Sequence, residues 1–284
     1  MGGGRPSPTI SRGQLGRRLR ELMAVAERTP ADVASYLAVS QATVSKILNG
    51  RQATKVAQVR SILQLCGASP EVTEDLVELA RAAAAGDWWS DYGAPEWFRT
   101  FLGLEGAADS LLTYEGELVP GLLQTAAYVE AITRRAHPEM GDDEVKRSVE
   151  LRLARQQHLA SDGRTPRLHF VLNEAVTCRP VGGPSAWREQ LEHLIAMADA
   201  EHVTLQVLLF SAGAHPVMGS AFTVLEFDSE PTLSTVYLEN DRGGSHLKSR
   251  SEIDRYRAVF SDLVASAASP AASRALLVRV AEHW

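Results

Sequence analysis

Through residue 80 the apolar positions recur at three- and four-residue spacing in short runs, separated by cap-forming residues. That is the periodicity of amphipathic helices. Leu15, Leu19, Leu22, Met23 and Ala26 form the first stripe, and Ser11 with Gln14 has the spacing of a capping box that would open it. Thr29-Pro30-Ala31-Asp32 supplies a cap, a first-turn proline and an acid at the third helical position, predicting a second helix that bears Val33, Ala34 and Leu37. After a tight Ala38-Val39 connection, Ser40 is expected to cap a third helix, Gln41 to Asn49, with Val44, Ile47 and Leu48 turned inward and Gly50 ending it. Thr54 is placed to begin a fourth helix with Val56, Val59, Ile62, Leu63 and Cys66. Ser69-Pro70 is placed to begin a fifth with Val72, Leu76, Leu79 and Ala80.

The pattern then changes. The stretch from Gly86 to Phe98 holds Trp88, Trp89, Tyr92, Trp97 and Phe98, too many aromatics for a flexible linker, and reads as a packed joint. Beyond it, helical periodicity near 118–136, 143–160 and 185–200, and again at Ile253, Tyr256, Phe260, Leu263 and Val264, is interspersed with strand-like runs. Those runs are Leu168–Leu172, Val203–Leu209, Ala221–Phe227 and Thr235–Leu238, and the last three, following one another through short loops, predict antiparallel pairing. The expected organisation is an all-α five-helix domain over 11–85, the joint over 86–104, and an α+β domain over 105–284 with a small, mainly antiparallel sheet.

Composition narrows the setting. Two domains are the natural reading of 284 residues, and 45% hydrophobic content suffices for a core in each. Cys66 and Cys178 are far apart and fit neither a disulfide framework nor a zinc pattern. No apolar run approaches the roughly 18 residues of a membrane span, and the N-terminal Met1-Gly-Gly-Gly-Arg5-Pro-Ser-Pro-Thr9 has no secretory character. A cytoplasmic, nucleoid-associated protein is expected. Charge is unevenly shared: residues 1–67 carry ten Lys/Arg against three Asp/Glu, a net of +7, while residues 68–284 carry nineteen against thirty-two, a net of −13. A basic head on an acidic body points to an anionic partner for the head.

Within that head, the segment Thr29–Gly50 is a short helix, a tight turn and a second short helix with a polar outer face. That is the geometry for laying the second helix in a DNA major groove. Gln41, Thr43, Ser45 and Lys46 lie on the polar face: Gln pairs with adenine, Lys donates to guanine, and Ser40 with the exposed backbone amides suits phosphate. Asn49, Arg51, Gln52 and Lys55 follow where phosphate contacts would set register, and Arg17 and Arg18 lie off the apolar stripe of the first helix. The segment resembles the helix-turn-helix of the Cro and lambda-repressor family, on Ala34 and on Val39-Ser-Gln-Ala-Thr-Val-Ser-Lys-Ile-Leu-Asn-Gly50, with similarity over residues 11–80. The resemblance implies a five-helix lambda-repressor-like fold, base reading by Gln41, a base or backbone contact by Lys46 and a phosphate contact by Asn49. Where that family often has a Gln opening the second helix, this chain has Pro30.

From residue 105 the chain resembles the domain of unknown function that accompanies this helix-turn-helix in actinobacterial regulators such as the WhiJ-like proteins. The phrases that carry the likeness are Tyr114-Glu115, Val119-Pro-Gly-Leu-Leu-Gln-Thr125, Leu172-Asn-Glu174-Ala-Val176, Arg179-Pro-Val-Gly-Gly-Pro184, Val203-Thr-Leu-Gln-Val-Leu208, Gly213-Ala-His215 and Val236-Tyr-Leu-Glu239. The resemblance implies a transcriptional regulator, in some cases paired with a small acidic protein encoded nearby. Glu174, Arg179, His215 and Glu239 fall at strand ends or adjoining loops and form the candidate ligand or partner site. For Glu174 and Arg179 an ion pair within the domain is the competing account, and for His215 a buried or capping role.

No nucleophile elbow, phosphate loop or metal-binding His spacing occurs, so neither catalysis, a cofactor nor a metal is expected. The leading expectation is a sequence-specific regulator acting on a double-stranded operator as a homodimer, without membrane association. The alternative is a DNA-binding antitoxin that neutralises a small partner.

Overall fold

The computed structural model describes residues 8–84, 88–161, 165–240 and 242–284. Five helices open the chain: α1 (Pro8–Val25), α2 (Pro30–Leu37), α3 (Gln41–Leu48), α4 (Val56–Leu65) and α5 (Pro70–Ala83). Side chains satisfy the first orphan amides of three of them. Thr29 and Asp32 form a reciprocal capping box on α2, Ser40 Oγ accepts from the Thr43 N–H at α3, and Ser69 Oγ accepts from the Val72 N–H at α5. At α4 the Gln58 Oε1 accepts from both the Lys55 N–H (3.3 Å) and the Thr54 hydroxyl (3.0 Å), so that helix starts just after the Thr54 position read from the sequence.

The expected capping box at Ser11 and Gln14 is overturned. α1 already runs from Pro8, which places both residues inside it, and Ser11 is fully buried. A side chain enclosed in the second turn has no free helix end to cap.

The apolar stripes of the five helices meet in one core built on Leu15, Leu19, Val33, Val44, Ile62, Leu63 and Leu76. Burying each such side chain contributes on the order of 1.5–3 kcal/mol, and this offsets the low intrinsic stability of helices only two turns long.

The chain divides into two compact units. The first comprises the residues up to Ser90 with Arg99–Ala107, and the second Asp91–Phe98 with Ala108–Trp284. The aromatic stretch is therefore shared out: Trp88 and Trp89 belong to the first unit and Tyr92, Trp97 and Phe98 to the second, with helix α6 (Glu96–Glu105) contributing to both. Gly86 and Asp87 of that stretch, the boundary read at 85–86 and the first seven residues lie outside the described residues.

The second unit is α+β. Its elements are β1 (Ser110–Glu115), α7 (Ala126–Ala136), α8 (Asp142–Ser161), β2 (Arg167–Asn173), α9 (Glu174–Cys178), α10 (Gly183–Ala198), β3 (Val203–Leu208), β4 (Phe222–Glu226), β5 (Thr235–Asn240), β6 (Gly243–Leu247), α11 (Arg250–Ser266) and α12 (Pro270–Ala281). The sheet is larger than the small one expected: six strands in the order β3-β2-β1-β4-β5-β6. β1, β2 and β3 pair in parallel, while β4, β5 and β6 continue antiparallel.

The expectation that the Val203 run pairs with its sequence successors is corrected. β3 pairs in parallel with β2 at the sheet edge, and only β4 and β5 form the foreseen antiparallel neighbours. The parallel half follows from the helices between its strands, since a return to the same end of a sheet needs a crossover such as α7 with α8, or α10. The outer edge of β3 is closed: Ser273 Oγ accepts from the Val207 N–H (2.9 Å) and the Ala268 N–H donates to Val207 O (2.9 Å).

One face of the sheet packs Tyr114, Val171, Phe222, Val224 and Val236 against Ile253, Phe260 and Leu263 of α11. Trp187, Leu191 and Leu194 of α10 are completely buried. Both cysteine thiols are free. Among the described residues no single helix is long and apolar enough to cross a membrane; α11 and α12 pass such a test only as a pair bent by 65°.

Candidate functional site

α2 and α3 are joined by a turn in which Ala38 takes the left-handed conformation (φ 52°), with the Val39 N–H donating to Ala34 O (3.0 Å). That two-residue reversal crosses the helices within one hydrogen-bonded step. α3 then buries Val44, Ile47 and Leu48 and leaves Gln41, Ser45, Lys46 and Asn49 exposed. Thr43 is half-buried, its hydroxyl 2.9 Å from Ser40 Oγ, so of the polar positions foreseen for base contact it is the one tied into the helix cap. Ser40, Arg51, Gln52 and Lys55 are exposed, as is Arg18, whereas Arg17 is half-buried. The structure thus gathers nearly all the sequence-derived interface residues around one short helix and its two ends.

The far end of α3 is held by α1, a relationship the sequence reading missed. Gly16 lies against the last turn of α3: a Cβ there would sit 2.3 Å from Leu48 O and 2.9 Å from Ile47 O. At Gly50, with φ +67°, a Cβ would sit 2.9 Å from the backbone of Gly13. Four residues beyond Gly16, one helical turn on, Arg20 reaches across from α1 and donates from Nη1 to Leu48 O (2.6 Å) and to Asn49 Oδ1 (3.1 Å). A guanidinium at these unpaired carbonyls also complements the negative end of the α3 dipole. A glycine in mid-helix, costly by intrinsic propensity, was the signal that could have revealed the contact.

Asn49 is consequently engaged. Its Oδ1 accepts from Arg20 and its Nδ2 lies 3.4 Å from Ser45 Oγ. Pro30 occupies the first turn of α2, and the capping-box hydrogen bonds from Thr29 hold the Asp32 carboxyl below its usual pKa.

In the second unit the four candidate residues all sit toward the carboxyl ends of β2, β3 and β5, but they are dispersed. Glu174 Oε2 accepts from the Phe210 N–H (2.6 Å), Arg179 pairs with Glu117, His215 Nε2 lies 3.2 Å from the Tyr114 hydroxyl, and Glu239 Oε2 accepts from the Tyr237 hydroxyl (3.0 Å). No Glu174–Arg179 ion pair forms, because each already has its own partner. His215 belongs to the face of Tyr114 and α11, while Glu239 shares the opposite face with Tyr237 and His246. Burial lowers the His215 pKa, with Asp262 opposing.

An acidic neighbour of Glu239 was overlooked. Glu115 ends β1, and loss of hydration, together with repulsion from Glu239, pushes its carboxyl up to about 8 against the opposing pull of Arg152 and Arg155 on α8. An acid at the end of the β-forming Leu111-Leu-Thr-Tyr114 run was the available clue. Among the described residues no group of His, Cys, Asp and Glu has the arrangement of a metal site.

A two-turn helix, a left-handed turn and a second short helix with a polar exposed face define a helix-turn-helix domain. The family model for such a domain matches residues 14–76. The chain as a whole belongs to the family defined by a domain of unknown function, DUF5753, whose model matches residues 98–279. No curated protein and no solved structure matches this chain.

Proposed function

We propose that this protein is a sequence-specific, DNA-binding transcriptional regulator whose second unit senses a ligand or a protein partner. The observation that carries the reading is α3 itself, with Val44, Ile47 and Leu48 buried and Gln41, Ser45 and Lys46 exposed, on a segment whose net charge is +7 over residues 1–67. In this reading Gln41, Ser45 and Lys46 meet base edges, and Arg51, Gln52 and Lys55 hold phosphates. One such helix reads only a few base pairs, so the protein acts as a two-fold dimer on half-sites about one helical turn apart. The second unit has a sensing or partner-binding role rather than a catalytic one; the second half is supported by His215 and Glu239 lying on opposite faces of the sheet and Glu174 being held by the Phe210 N–H, so that these residues make no Glu–His acid/base pair.

The test is selection of binding sites from random duplexes, followed by titration of the selected site. Gln41→Ala is expected to cost roughly 1–3 kcal/mol and relax preference at one base pair. If the wild-type chain enriches no sequence, or Gln41→Ala retains full affinity and preference, α3 is not the reading helix. Light scattering on the free protein and on its operator complex tests the dimer, and a single copy in both would refute it.

A further inference from the structure

Ser45 sits mid-helix on the exposed face of α3, and a serine hydroxyl reads a base either as donor or as acceptor. The geometry around Asn49 takes up one of its two lone pairs and leaves the hydrogen to face outward, which favours the donor role. Arginine only donates, so the oxygen of the Asn49 carboxamide is the atom that faces Arg20 Nη1 at 3.1 Å. The amide nitrogen must then face the other way, toward Ser45 Oγ at 3.4 Å. This orientation follows from the chemistry of the guanidinium and not from the placement of indistinguishable O and N atoms. With Oγ accepting from Asn49, the single hydroxyl hydrogen of Ser45 is directed elsewhere. It does not go back to the Gln41 carbonyl one turn earlier, unlike Ser61 on α4, which donates to Ala57 O (3.1 Å). Among the described residues no other acceptor takes it, and Ser45 is exposed.

We propose that Ser45 reads its base pair as a hydrogen-bond donor, and that Arg20, acting through Asn49, is the positioning residue that keeps it in that state. This rests on the reading of α3 as the recognition helix. The matching partners in the major groove are the acceptors N7 and O6 of guanine, N7 of adenine and O4 of thymine. A cationic donor at the head of the chain also polarises each following hydrogen bond in the same direction. Arg20 thereby influences a base it does not touch.

The experiment uses the full chain and the sites it selects from random duplexes. Ser45→Ala locates the base pair concerned as the one position where preference is lost. Asn49→Asp is the decisive variant: a carboxylate still accepts from Arg20 but cannot donate, so the Ser45 hydrogen turns inward and its lone pairs face the groove. The preferred base at that position is expected to change to one presenting an amino group, N4 of cytosine or N6 of adenine. The ratio between sequences is the quantity read, because the added negative charge weakens all duplexes together. Arg20→Met is expected to flatten preference at the same base pair while leaving the salt slope unchanged. If Arg20→Met instead weakens all sequences alike and reduces the salt slope by about one, Arg20 is a phosphate contact and the proposal falls. It falls equally if Asn49→Asp keeps a wild-type guanine or thymine at the Ser45 position, if 7-deaza-adenine in place of a wild-type adenine there leaves wild-type binding unchanged, or if Ser45→Ala alters no position. Circular dichroism melts confirm that each variant is folded. Failure of the wild type to select any site would instead overturn the recognition-helix reading, a separate outcome.

Discussion

Gly16 of α1 and Leu48 of α3 meet backbone to backbone: a methyl group on Gly16 would lie 2.3 Å from the Leu48 carbonyl oxygen. Gly16→Ala sets two effects against each other. Alanine gains about 1 kcal/mol of helix propensity, but the atom it strikes is backbone and cannot rotate away. Steric displacement wins, and the variant is expected to be less stable by about 1–3 kcal/mol, with α3 shifted off its seat. Thermal melts check the stability, and an unchanged or raised melting temperature would show that the contact is softer than described.

Ala38 holds the turn between α2 and α3 at φ 52°, a region that costs an L-residue about 1–2 kcal/mol relative to right-handed backbone. Glycine pays no such steric cost, though it loses more entropy on folding. Ala38→Gly is therefore expected to stabilise the protein by up to about 1 kcal/mol. Denaturant titration measures it, and destabilisation would mean that the Ala38 methyl group packs usefully.

Lys55 is exposed just before α4, beyond the end of α3. A phosphate contact there carries no sequence information. Lys55→Ala should weaken all duplexes alike and flatten the logarithmic salt slope by about one. Loss confined to the selected site would assign Lys55 to base reading.

Two half-buried ionisable groups in the second unit impose opposite pH dependences. The Glu115 pKa is raised from 4.5 to about 8, so its contribution to stability is present below pH 4.5 and lost as pH rises toward 8. Burial and nearby Lys248 push the His246 pKa down from 6.5 to about 4, so its contribution is present above pH 6.5 and lost as pH falls toward 4. Glu115→Gln is expected to melt higher relative to wild type at pH 8 than at pH 4.5, and His246→Gln to flatten the acid limb. Parallel melting curves for wild type and Glu115→Gln across that range would remove Glu115 from the account.

Local sequence by itself determined the helices of the first unit, the α2–α3 turn and the polar face of α3. These depend on caps, helix-starting prolines and apolar spacing within one or two turns, as at Thr29–Asp32, Ser40 and Ser69. It also placed β2, β4 and β5, whose β-rich runs are bounded by turn residues. Pairing was another matter. The alternation in Val203–Leu209 marks a strand but carries no information about its neighbour, and only the α10 crossover and the closed edge at Val207 and Ser273 seat it parallel to β2. The same limit hid Gly16, Arg20 and Glu115. Each acts on residues more than 25 positions away in the chain, Leu48, Asn49 and Glu239, and such contacts exist only once the helices and strands have packed. Ser11 shows the reverse error: its spacing to Gln14 mimics a helix cap, and burial in α1 decided otherwise.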